Sequence, residues 1–63
     1  MNGKQVIDKL NAAGWTLARI NGSHHIMEKD GMPRSIPVPV HGAKDMGAGL
    51  LAEIPRQTGV KLK

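Results

Sequence analysis

Trp15-Thr16-Leu17-Ala18-Arg19-Ile20-Asn21-Gly22-Ser23-His24-His25-Ile26-Met27-Glu28-Lys29 is the stretch on which the fold turns. Residues 15–20 alternate as a strand does, with Trp15, Leu17 and Arg19 on one face and Thr16, Ala18 and Ile20 on the other. Asn21-Gly22 is a turn pair, because both central residues of a type I′ turn need positive φ. A second strand is predicted over 23–29, antiparallel to the first. Asp30-Gly31, with Pro33 close behind, marks the next turn. A third strand is predicted over 34–40, with Ile36, Val38 and Val40 on one face and Ser35, Pro37 and Pro39 on the other. Two prolines cannot donate to a central ladder, so this segment is expected to be an edge strand or to have a solvated stretch.

A helix is predicted on either side of this meander. Asn2 suits an N-cap, and Gln5 stands where a capping box wants Glu or Gln. Val6, Ile7, Leu10 and Ala13 follow helical spacing over 2–13. Gly14 then suits the left-handed position after the helix, with Trp15 folding back onto its end. His41 to Lys44 reads as a loop. A second helix starts between Asp45 and Ala48, with Asp45 as its possible cap, and buries Leu50, Leu51 and Ile54. Pro55 removes the hydrogen bond to the Leu51 carbonyl, so the helix either kinks there or ends at Ile54. Gly59 reads as a terminator, and Lys61 and Lys63 as a loose basic tail. The expected fold is α+β, a single domain over 1–63 ordered α-β-β-β-α, with two helices on one face of a three-stranded antiparallel sheet. Which sheet face the helices cover is open, since both carry mixed residues.

The chain has 63 residues, nine Lys and Arg against five Asp and Glu, a formal charge of +4 and no cysteine, so disulfides and thiolate metal sites are excluded. No apolar run approaches the roughly 20 residues of a membrane span, and no signal-peptide core follows Met1. A cytoplasmic protein with an anionic partner is the expectation. At this length the usual scale implies a net stability of only about 3–9 kcal/mol. The core must come mainly from Val6, Ile7, Leu10, Leu17, Ile20, Ile36, Val38, Leu50, Leu51, Ile54 and Val60, with Met27 and Trp15. A core this small makes partner binding a strong source of added stability.

Gly22-Ser23-His24-His25 is where chemistry concentrates. A strand sends adjacent side chains to opposite faces, so His24 and His25 cannot chelate one metal together. A zinc site would need one of them with His41 and carboxylates, and the spacing does not supply it. No metal and no cofactor is expected. One histidine faces an exposed surface, and an imidazole can take or give a proton near neutral pH. On RNA, such a group can remove the 2′-hydroxyl proton, after which the oxygen attacks the adjacent phosphorus. DNA lacks that nucleophile. Cations near the phosphate would neutralise its charge. The basic residues are scattered rather than clustered; Arg19, Lys29 and Arg34 lie on adjacent predicted strands and either form a stripe or simply solubilise the surface. With Trp15 as the one aromatic residue, stacking on an aromatic platform is not the expected binding mode.

Lys4-x-Val-Ile7, Leu10, Gly14-Trp15, Gly22-Ser23-His24-His25, Ile36-Pro-Val-Pro39-x-His41, Lys44-Asp45, Gly49-x-Leu51, Ile54 and Gln57-x-Gly59 together resemble the HicA toxins of bacterial type II toxin–antitoxin systems. The resemblance covers nearly the whole chain, and the Gly-Ser-His-His step is its specific part. It implies a double-stranded-RNA-binding-domain-like fold and a ribosome-independent mRNA endonuclease. It also implies a HicB antitoxin whose N-terminal domain blocks the active histidine. By position it implies His24 as the catalytic residue, supported by Gly22 and Ser23; His25 stands at a position that varies in the family and is auxiliary at best. His41 matches a frequent family histidine, either a phosphate contact or a loop-packing residue, with packing preferred. Arg19, Lys29, Arg34 and Lys44 are the candidate RNA-binding cations. The chain departs from the family at Met27, where an aromatic residue is usual, at Met46-Gly47, where Leu-Pro is usual, and at Pro55. The alternative reading is a non-catalytic module that binds RNA or an antitoxin through the same fold.

Overall fold

The computed structural model describes residues 1–62. Its elements are α1 (Gly3–Ala12), β1 (Thr16–Asn21), β2 (His24–Glu28), β3 (Ile36–Pro39) and α2 (Ala48–Thr58). The order and the α+β class are those expected from the sequence. Asn2 caps α1 in a reciprocal box: its Oδ1 accepts from the Gln5 amide at 2.9 Å, and Gln5 Oε1 accepts from the Asn2 amide at 2.8 Å. At the other end Gly14 takes φ 96°. The Trp15 amide then reaches back to the Leu10 carbonyl (2.9 Å) and the Gly14 amide to that of Asn11 (3.1 Å), a Schellman closure. This closure swings Trp15 under the helix, where it is 1% exposed.

The sheet runs β1-β2-β3, all antiparallel. Its register corrects two sequence expectations. Asn21 pairs with His24, so the two-residue loop is Gly22-Ser23 and not Asn21-Gly22. Gly22 has φ 63° and no non-glycine residue has positive φ, which is the sign pattern of a type II′ turn rather than I′. Second, the ladder skips a residue between Leu17 and Arg19: Leu17 pairs with Met27 and Arg19 with Ile26. Ala18 is thus the extra residue of a β-bulge, and everything after it changes face. Leu17 and Ile20 share one side, while Arg19 and Asn21 take the other.

β3 lies at the edge, as its prolines require. The Val40 amide donates to the Ser23 carbonyl at 2.8 Å. By alternation the nitrogens of Pro37 and Pro39 point to the free edge, where no donor is needed. After β3, Asp45 does not cap α2. It forms an isolated bridge with Asn2, and its Oδ1 lies 3.6 Å from the Met1 ammonium. Gly47 stands at the N-cap without a side-chain hydrogen bond. Nor does α2 end at Ile54. It runs through Pro55 to Thr58 and closes on Gly59, at φ 75°, whose amide donates to the Pro55 carbonyl at 2.8 Å. Pro55 falls in the last turns of the helix, so only one intrahelical bond, to Leu51, is forgone.

Val6 and Leu10 from α1, Met27, Ile36 and Val38 from the sheet, Ile54 from α2, and Trp15 and Leu62 form one buried cluster. The face carrying Met27 is therefore the covered one, with both helices on it. Leu17 and Ile20 lie on the same side but remain 47% and 56% exposed. They were expected in the core; β1 overhangs the helices and leaves them uncovered. Leu62, expected in a loose tail, is 5% exposed and closes the bottom of the core. Lys63 lies outside the described residues. Gly3, at the start of α1, packs so closely on β3 that a Cβ would overlap the Pro39 carbonyl oxygen.

Candidate catalytic site on the open sheet face

The sheet face opposite the helices reads directly from the register. Its rows are Asn21–His24–Pro39, then Arg19–Ile26–Pro37, then Thr16–Glu28. His24 is exposed at the hairpin end, directly across from exposed Asn21. Arg19, also exposed, lies one row along on the neighbouring strand, a diagonal of about 7–8 Å between backbones. Ile26 is 8% exposed between Arg19 and Pro37, and gives the face an apolar floor. Glu28 stands four residues from His24 along β2, about 13 Å away. The negative charge thus sits at the far end of the face from the imidazole.

The hairpin holds His24 in place on both sides. Gly22-Ser23 closes the turn to β1, and the Ser23 carbonyl accepts from Val40 on the β3 side. Gly22 has open space around its Cα, so its conformation and not its surroundings constrains it. Gly22→Ala should cost about 1–2 kcal/mol for forcing a side chain into the left-handed region. Thermal melts of the two chains check this.

His25 occupies the covered side, as adjacent strand residues must. It pairs with Val38 and Ile20 and is half-buried. Its Nδ1 is buried without a hydrogen-bond partner, and the ring lines a shallow groove with Lys4, Ile7, Asp8 and Val40. His24 and His25 are therefore separated by the sheet itself. Among the described residues no group of three or more His, Asp or Glu side chains is placed to hold a metal ion.

The candidate cations divide. Arg19 joins the His24 face only because of the bulge at Ala18. Lys29 and Arg34 fall in the connection after β2, not on strands, and line a groove with Thr16, Asp30 and Ser35. Lys29 is five residues from His24 along β2, about 16 Å away, so no continuous stripe links them to the imidazole. Lys44 is exposed in the loop after β3, where its amide donates to the His41 carbonyl at 3.1 Å. Two residues at this end of the sheet stand differently from the preferred sequence reading. Asn21 was assigned to the turn and is instead a strand residue facing His24. For His41 the sequence offers a phosphate contact or loop packing, with packing preferred; the side chain is exposed, just beyond the end of β3. A two-residue Gly-Ser loop, tried as an alternative register, would have found the first.

The family model described as the HicA toxin of bacterial toxin–antitoxin systems matches residues 3–60. The chain belongs to the HicA toxin family. No curated protein matches it. The matched span takes in α1, the whole sheet and α2, so the Gly22-Ser23-His24-His25 hairpin lies inside the HicA domain. Membership makes the chain the toxin of a toxin–antitoxin pair, with an antitoxin as its partner. None of its helices is long and apolar enough to cross a membrane, among the described residues.

Proposed function

We propose that this HicA-family toxin is an endoribonuclease that cleaves mRNA by 2′-hydroxyl attack, with His24 as the general base and no metal. The observation that carries the reading is the placement of His24. It is exposed on the uncovered sheet face, with Arg19 one row away and Glu28 at the far end. His24 removes the 2′-hydroxyl proton, and the oxygen attacks the adjacent phosphorus. Arg19 offsets charge on the phosphate as it accumulates. Gly22 and Ser23 fix the hairpin from which the imidazole projects. Lys44 follows on the loop beside this end of the sheet, whereas Lys29 and Arg34 contact the strand further along its path. The face lacks aromatic platforms, so recognition rests on backbone and shape. The place of action is the cytoplasm, where the mRNA is.

A HicB-like antitoxin is the proposed partner. Leu17 and Ile20, apolar and exposed on the overhanging edge strand β1, support an additional protein contact there. Such binding would stabilise the small toxin core by mass action.

The chemistry is read from the ends of the products. Attack by the 2′-hydroxyl leaves a 2′,3′-cyclic phosphate or its 3′-phosphate on one fragment and a 5′-hydroxyl on the other. A 2′-deoxy residue at the cleaved position should block cutting, and a chelator should not. Fragments with 3′-hydroxyl ends would refute the mechanism, and tight, salt-dependent RNA binding without any cutting would leave a binding module in its place.

A further inference from the structure

Cleavage by 2′-hydroxyl attack moves two protons, one off the nucleophile and one onto the departing 5′-oxygen. His24 accounts for the first. The structure brings a second imidazole to the same end of the sheet. Pro39 is the cross-strand partner of His24, and the Val40 amide still donates to the Ser23 carbonyl at 2.8 Å. The chain therefore stays beside the start of β2 for one residue beyond β3, and His41 follows at once. Alternation puts Pro37 and Pro39 on the open face and Val38 on the covered one, where it is fully buried. Val40 continues the covered side and lines the groove with His25 and Ile7. His41 lies two residues beyond the end of β3, at most about 7 Å of extended chain from Pro39, and so stays at the His24 end of the sheet.

The backbone of His41 is held while its ring is free. Its carbonyl accepts the Lys44 amide at 3.1 Å, and Gly42 turns the chain away at φ 58°. The side chain is exposed and makes no hydrogen bond or ion pair among the described residues. Packing therefore does not explain a histidine here. The charged groups around the pair are Arg19 on β1 and Lys44 in the loop; Lys4 and Asp8 of α1 lie on the covered side, against Gly42 and Ala43.

We propose that His41 is the general acid of the cleavage, working with His24 across one phosphodiester. This rests on the reading of His24 as the base. The 2′-oxygen gives its proton to His24 and forms the new bond to phosphorus. The bond from phosphorus to the 5′-oxygen breaks, and the His41 imidazolium gives its proton to that oxygen. The products are a 2′,3′-cyclic phosphate and a 5′-hydroxyl, and each histidine is left in the other's starting protonation state.

The test compares a short RNA with the same RNA carrying sulfur in place of the 5′-bridging oxygen at the cut. A thiolate leaves without being protonated, so it needs no acid. On ordinary RNA His41→Ala should be slower by about 100- to 10,000-fold, the usual weight of a general acid. On the sulfur-bridged RNA it should cut nearly as fast as the parent chain, and His24→Ala should be slow on both. The alkaline limb of the pH–rate profile should also disappear in His41→Ala, with melting temperature unchanged. Full activity of His41→Ala on ordinary RNA overturns the inference, and so does an equal loss on both substrates, which marks a binding role. A His24→Ala chain as fast as the parent instead removes the reading on which the inference rests.

Discussion

His24→Ala should abolish RNA cleavage and growth arrest without unfolding the protein. The imidazole is exposed and makes no hydrogen bond among the described residues, so nothing buried is lost with it. Its neighbours Asn21 and Pro39 are held by the backbone ladder, which the substitution does not touch. Melting temperature should stay within the small range typical of surface changes, about 0.5 kcal/mol in stability. Activity should fall by the weight of one proton-transfer group, about 100- to 10,000-fold. For a toxin measured by growth, a loss of that size reads as harmlessness. Purified chains, assayed on RNA and melted side by side, separate the two effects. His25→Ala is the control, because that ring lies beneath the sheet: it should lower stability and leave the cleavage chemistry in place. If His25→Ala kills cleavage in a folded chain and His24→Ala does not, the active histidine has been placed on the wrong face.

Gly3→Ala should destabilise the fold heavily, against the ordinary trend for glycine in helices. In an exposed helix interior, Gly→Ala gains up to about 1 kcal/mol. At Gly3 a Cβ would overlap the Pro39 carbonyl oxygen and press on Val40, with its Cγ2 at 3.0 Å and its Cα at 3.1 Å. Two of those three neighbours are backbone, which cannot rotate away. The helix must lift off β3 or β3 must shift. Overpacking of this kind costs about 1–3 kcal/mol, a large share of a total near 3–9 kcal/mol for a chain of this size. The expected drop in melting temperature is about 10 °C, since 1 kcal/mol shifts a domain this small by roughly 4–8 °C. Gly49→Ala is the matched comparison. Gly49 lies in α2 with nothing near its Cα, so the same change there should raise stability. A Gly3→Ala chain that melts at or above the parent would show that α1 does not rest on β3 as closely as described. Because Pro39 pairs with His24, a displaced β3 should also reduce cleavage.

Much of the architecture was legible locally because local signals agreed with one another. The Asn2–Gln5 box, Gly14 and Gly59 mark helix ends through hydrogen bonds that span only a few residues. The two prolines of β3 demand an edge whatever the partner strand is. The misjudged residues share a different property. Asp45 was read as a helix cap from its position, but its backbone and carboxylate are engaged by the N-terminal residues, which are far away in sequence. Leu62 looked like part of a basic tail because its burial depends on where α2 delivers the chain. Pro55 looked like a breaker, yet near a helix end it forgoes one bond while the remaining turn keeps its packing and its Gly59 closure.

By itself the sequence determined the element order, the edge position of β3, the opposed faces of His24 and His25, and the family resemblance carried by Gly22-Ser23-His24-His25. These follow from chain geometry over a few residues and from a short motif. Only the tertiary structure decided which residues accompany His24. A period-two pattern cannot show that Ala18 drops out of the ladder, because a bulge is a mismatch between two strands and belongs to neither alone. That single skipped residue moves Arg19 onto the His24 face and sends Ile20 to the other side. The same pairing aligns Asn21 with His24, and the ladder on the far side carries His41 to the end of the sheet where His24 stands.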